Sequence, residues 1–143
     1  MWYALLLAAC IAGDQLLKYW VVRHLEIGQS AAFLPGLVRL TRLHNTGAAW
    51  GSFSGSTALL TAVTAVLLVA VAWLVLKKVI RHPLGLCAAM LVLGGGIGNM
   101  IDRICRGYVV DMFDLEFISY PIFNLADCFV VVGVILGAVY YLW

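Results

Sequence analysis

Charge is what this chain has least of. Only 11% of its 143 residues are Asp, Glu, Lys or Arg, whereas 64% are hydrophobic. Soluble domains carry roughly 25% charged residues, so the composition excludes a soluble globular protein and bounds the chain to one membrane domain. A formal net charge of +2, with no basic run longer than Lys77-Lys78, gives no footing for a nucleic-acid partner. Cysteine is sparse too. Cys10, Cys87, Cys105 and Cys128 show no CxxC spacing, and Cys10, Cys87 and Cys128 lie in apolar runs, where reduced cysteine serves as a small core residue. The histidines are scattered and no HExxH occurs, so neither a protein-ligated metal nor another cofactor is expected.

Long apolar runs are what the chain has instead. A bilayer core of about 30 Å takes around 20 apolar residues as helix, and backbone polar groups in lipid must be satisfied within the segment, which favours helices over open strands. Four stretches qualify: 2–22, interrupted by Asp14 and Lys18; 57–76, without a charge; 84–101; and 121–143. The opening "MWYALLLAAC" has the apolar look of a secretory signal. It lacks a basic leading region and its apolar stretch continues past Cys10, so it reads as a retained first membrane helix. Gly94xxxGly98 and Gly133xxxGly137 supply small-residue seams for packing the third helix against the fourth within one chain.

The connections differ in character. "KKVIRHP" is short and basic, which places it in the cytoplasm together with both termini. The opposite side nevertheless collects Arg23, Arg39, Arg42, Arg103 and Arg106. The connection after the first helix carries a Pro35-Gly36 turn signal and the alternating "LVRLTRLH", so a small sheet is expected there. "GYVVDMFDLEF", between the third and fourth helices, also reads as partly extended.

Given alternating spans, the remaining polar residues gather at one membrane face. Asp14 and Lys18, at i,i+4, share a face of the first helix. Asn99, Asp102 and Arg103 lie near the end of the third, and Asn124 and Asp127 at the start of the fourth. Asp14 with Lys18, and Asp102 with Arg103, read as buried structural pairs. Asp111 and Asp127 have no local basic partner, and an unpaired carboxylate at membrane depth reads as functional. Asp114, three residues beyond Asp111, is an equal candidate on composition.

The chemistry narrows by elimination. "GSFSG" puts Phe53 where a GxSxG nucleophile belongs. Lys77 and Lys78 lie at the wrong face for a Ser–Lys dyad, and Lys18 has no obvious serine. "GGGIGN" lacks the GK[ST] of a phosphate loop. A carboxylate pair remains: two close carboxyls cannot both ionise cheaply, so one acts as acid while the other activates water. The same residues admit an alternative, a small proton-coupled transporter. That would need polar groups through the membrane depth, whereas the second span offers only threonines and a tryptophan.

Five motifs, "DQLLK" (14–18), "HNTGAAW" (44–50), "GGIGNMIDR" (95–103), "GYVVDMFD" (107–114) and "FNLAD" (123–127), stand in the order of signal peptidase II, the lipoprotein signal peptidases, and the chain resembles that family. The resemblance implies an all-α membrane protein of four transmembrane helices with a small extracytoplasmic β-sheet between helices one and two, forming a single peptidase domain over 1–143. It implies a multi-pass enzyme of the bacterial inner membrane, both termini cytoplasmic and the site near the extracytoplasmic face. Such an aspartyl endopeptidase removes signal peptides from prolipoproteins, cutting before a diacylglyceryl-modified cysteine. Carried over by motif, Asp111 and Asp127 are the catalytic pair, Asn45, Asn99, Arg103 and Asn124 are polar site residues, and Asp14 supports the site. The implied partners are diacylated prolipoproteins and membrane lipid, with the enzyme a monomer that needs no metal. Two departures stand out: Trp50 where phenylalanine is usual, and a short connection from Asp111 to Asp127.

Overall fold

The computed structural model describes residues 1–47 and 57–142; Trp50, the "GSFSG" tract and Trp143 lie outside them. The described elements run α1 (Trp2–His24), β1 (Ser30–Leu34), β2 (Val38–Asn45), α2 (Thr57–Leu76), α3 (Pro83–Arg106), β3 (Val109–Leu115) and α4 (Leu125–Leu142). All four helices are long and apolar enough to cross a membrane.

Two boundaries differ from the sequence expectation by four residues or more, each for a local reason. α3 continues to Arg106, past the expected end at 101, because its last turns are polar yet still helical. It stops where Gly107 takes a left-handed φ of 78° and donates its N–H to the Arg103 carbonyl. Its other end is fixed by Pro83 in the first turn and by the His82 ring accepting from Leu84 N–H. α4 begins at Leu125 rather than 121. Asn124 Oδ1 accepts from Asp127 N–H at 3.0 Å, while Asp127 Oδ2 accepts from Asn124 N–H at 3.1 Å. This reciprocal pair has the form of a capping box, and it starts the helix where the apolar count alone would have started it too early.

α3 is the central helix, packed by α1, α2 and α4. Its glycines divide between neighbours. A Cβ at Gly94 would lie 2.6 Å from Cys10 Cβ of α1, whereas one at Gly95 would overlap the Ala126 carbonyl of α4. Gly133 of α4 in turn abuts the Ala88 carbonyl. The α4 seam therefore meets α3 as expected, but Gly94 packs against α1. Side chains such as Val63, Val66 and Val69 on α2 remain exposed, as suits a surface covered by lipid.

The sheet is three-stranded and antiparallel in the order β1-β2-β3. The expected sheet between helices one and two thus gains its third strand from the connection between α3 and α4. Pro35 and Gly36 make the β1–β2 turn: Gly36 has φ 77° and Leu37 N–H reaches Leu34 O at 3.0 Å, the pattern of a type II turn. Val21 of α1 and Leu25, the residue just after it, bury with Leu40, Val110 and Met112 of the sheet, which seats the sheet on the end of α1.

Candidate active site

The end of the bundle beneath the sheet holds a cavity of about 920 Å³. Its polar lining includes Asn45 from the end of β2, Asn99 and Arg103 from α3, Asp111 from β3, and Asn124 and Asp127 from the start of α4. Its apolar lining descends between helices through Leu67 and Leu68 of α2, Val92 of α3 and Val130 of α4. One cavity thus joins a polar end to a greasy cleft.

Strand alternation separates the two candidate aspartates. Residues three apart on a strand point to opposite faces. Asp111 is 1% exposed and faces the cavity, while Asp114 pairs with Arg39 at 2.7 Å and accepts from Thr41 Oγ1 at 3.1 Å.

Asparagines hold the two cavity carboxylates. Asn45 Nδ2 donates to Asp111 Oδ2 at 2.9 Å, and Asn124 Nδ2 to Asp111 Oδ1 at 2.6 Å. Asn99 Nδ2 donates to Asp127 Oδ1 at 2.7 Å. Asn124 is the bridge, because it caps Asp127 through its backbone N–H and side-chain oxygen while its amide nitrogen serves Asp111 and, at 3.0 Å, Asn99 Oδ1. The capping bond fixes the side-chain oxygen toward Asp127 N–H, so the amide nitrogen must face Asp111. Burial, and then the charge of Asp127, push the Asp111 carboxyl up to about 7, against the opposing bonds from Asn45 and Asn124. His44, at the cavity rim and stacked on Tyr108, is pushed down by burial and by Arg42 and Arg106.

Asp14 is fully buried and does not line the cavity. Its Oδ1 accepts from Ala126 N–H at 3.0 Å, tying α1 to the first turn of α4. The expected Asp14–Lys18 pair is present at 2.9 Å. The expected Asp102–Arg103 pair gives way to Lys18 at 3.1 Å and Arg106 at 3.3 Å. Adjacent helical residues do not face each other, whereas i,i+4 neighbours do, so Arg103 is left at the cavity wall, where it feels the charges of Asp127 and Asp111. Asp102 also accepts from Val110 N–H at 3.1 Å, holding β3 beside the catalytic candidate. Sequence reasoning left Lys18 and Asp102 outside the site. The available signal was their charge at a depth where lipid tolerates none. Among the described residues, no three His, Cys, Asp or Glu side chains come together as a metal-ligand set.

Membrane-length helices enclosing a carboxylate–amide cavity at one end define a polytopic membrane protein with a built polar site. Residues 6–143 match the family model for signal peptidase (SPase) II. The chain belongs to that family, and it is a multi-pass bacterial membrane protease of signal-peptide cleavage. It is 41% identical to the lipoprotein signal peptidase of Enterococcus faecalis, over 96% of this chain and 86% of that protein. Identity is also 41% to that of Lactococcus lactis, over 88% of this chain and 83% of that protein. A solved bacterial membrane enzyme superposes with a TM-score of 0.93 at 32% identity, covering 98% of this chain and 87% of that one. The transporter alternative finds no support in these relatives.

Proposed function

We propose that this protein is an aspartyl endopeptidase that removes signal peptides from prolipoproteins, cutting before a diacylglyceryl-modified cysteine, with Asp111 and Asp127 as its catalytic pair. The observation that carries the reading is the convergence of these two carboxylates, from β3 and from the first turn of α4, on one cavity through a shared asparagine. Asp111, with its carboxyl raised to about 7, is the acid, and Asp127 is the base. Asp127 takes a proton from water as the water oxygen attacks the scissile carbonyl, and Asp111 gives its proton to the carbonyl oxygen. The tetrahedral diol then collapses: the C–N bond breaks, the proton held by Asp127 goes to the departing amine, and one diol hydroxyl returns its proton to Asp111 as the new carboxyl forms. Arg103, at the cavity wall, favours the negative charge that builds on the pair and the carbonyl oxygen.

The shape of the cavity supports a lipid-anchored substrate. Its polar end receives the peptide, and the apolar wall between α2, α3 and α4 receives acyl chains. In this reading the termini and the basic "KKVIRHP" loop are cytoplasmic and the sheet lies on the outer face, where such a substrate presents its cleavage point. The protein acts as a monomer. Purified protein in a bilayer is to be given a prolipoprotein bearing either a diacylglyceryl or a free cysteine, and the products weighed by mass spectrometry. Release of the signal peptide from the lipid-modified precursor alone, with the modified cysteine at the new N-terminus, is the expected result. Equal cleavage of both precursors, or a cut elsewhere, would overturn the assignment.

A further inference from the structure

Lys18 sits at the centre of a buried network that the mechanism above does not use. It is 0% exposed, comes from the C-terminal third of α1 and does not line the cavity, so it cannot touch a substrate. Its Nζ lies 2.9 Å from Asp14 Oδ2, 3.1 Å from Asp102 Oδ2 and 2.9 Å from Asn99 Oδ1. An ammonium has three N–H donors and no acceptor, and here each donor has an oxygen. The contact with Asn99 differs from the others in its consequence. Asn99 presents Oδ1 to Lys18 and to Asn124 Nδ2, which leaves its Nδ2 to donate to Asp127 Oδ1 at 2.7 Å.

We propose that Lys18 is a positioning residue of the catalytic pair, acting through Asn99. The ammonium accepts only one orientation of that amide, because a flipped Asn99 would turn an N–H group toward Lys18 and its oxygen toward the Asp127 carboxylate. Lys18 thereby fixes the donor that holds Asp127, while Asp14, its salt-bridge partner, fixes the first turn of α4 through Ala126 N–H. The i,i+4 pair on α1 thus sets the position of the base twice, once through its side-chain donor and once through its helix. The positive charge also reaches Asp111.

The proposal rests on the peptidase reading, and its test separates the two. Lys18→Met leaves buried carboxylates without their cation and risks misfolding. Lys18→Met with Asp14→Asn removes one buried charge of each sign and keeps an acceptor for Ala126 N–H. Asp14→Asn alone is its reference, and Asn99→Ala is combined with each. Steady-state cleavage of a diacylated prolipoprotein by the purified full chain should show kcat falling by about 10²-fold in the Lys18 variant, with KM unchanged. Adding Asn99→Ala should cost less beside the Lys18 change than beside an intact Lys18, since both changes act on the same hold on Asp127. Losses that multiply, a kcat like that of Asp14→Asn alone, or failure of both Lys18 variants to fold would make Lys18 a structural residue and overturn the proposal. A second readout needs no cleavage: in protein labelled with ¹⁵N-asparagine, the Asn99 side-chain amide resonance should move in the Lys18 variant relative to Asp14→Asn alone. No movement contradicts the proposal even if the wild type proves to cleave nothing, which would overturn only the peptidase reading.

Discussion

At the scale of the residue, placement decides chemistry. Asp111 and Asp114 are the same side chain three positions apart, yet one meets two asparagine amides in a cavity and the other meets Arg39 on the sheet. Composition could not separate them; strand alternation does, once the register against β2 is known, pairing Arg39 with Asp114 and Leu43 with Asp111. The buried carboxyl of Asp111, raised to about 7, also has a direct consequence for pH. An acid must hold its proton to give it, so cleavage should decline as pH rises through about 7 and the Asp111 proton is lost. The linkage runs the same way. A carboxyl raised on folding contributes stability that is complete below the unfolded value of about 3.9 and is lost as pH climbs through about 7. A pH–rate profile of kcat checks this; activity that keeps rising well above neutral pH would remove Asp111 from the acid role.

At the scale of the element, the site depends on how closely α4 approaches α3. Gly95 has room for nothing beside the Ala126 carbonyl, one residue before Asp127, whereas a Cβ at Gly137 would meet Ala88 Cβ at an ordinary 3.9 Å. Gly95→Ala should push the first turn of α4 away and misplace Asp127. A displacement near 1 Å costs about 10²-fold in rate. Gly137→Ala should leave cleavage within about twofold of wild type, as surface-like substitutions commonly do. Similar activities for the two variants would show that the α3–α4 approach does not set the site. These seams were only half legible in the sequence. GxxxG spacing announces close packing but not the partner, so Gly94 gave no sign that it faces Cys10 on α1. Helix ends were legible as loss of hydropathy, which misplaced the start of α4. The asparagine and aspartate of "FNLAD" both cap α4 and line the cavity, and apolar counting sees neither role.

At the scale of the whole molecule, residues from α1, β2, α3, β3 and α4 reach one end of the bundle, and four spans in alternation explain how distant motifs meet there. That convergence was legible, because alternation alone puts the ends of the first and third helices and the start of the fourth on one face. The third strand was not, since pairing β3 with β2 depends on contacts far apart in sequence. The orientation is checked by labelling single cysteines in a background without the native ones: Val79→Cys should react only from the cytoplasm, and Gln29→Cys and Glu116→Cys only from outside. The reverse pattern would put the cavity on the wrong face for a lipid-anchored precursor. The central claim, that Asp111 and Asp127 jointly hydrolyse the peptide bond, is tested most directly by turnover of a diacylated prolipoprotein by Asp111→Asn and Asp127→Asn, with substrate binding measured in parallel and Asp114→Asn as comparator. Each of the first two should lose at least about 10³-fold in kcat while still binding substrate, and Asp114→Asn should lose far less. Retention of more than a few per cent of activity by both cavity variants, or a greater loss for Asp114→Asn, would contradict that claim.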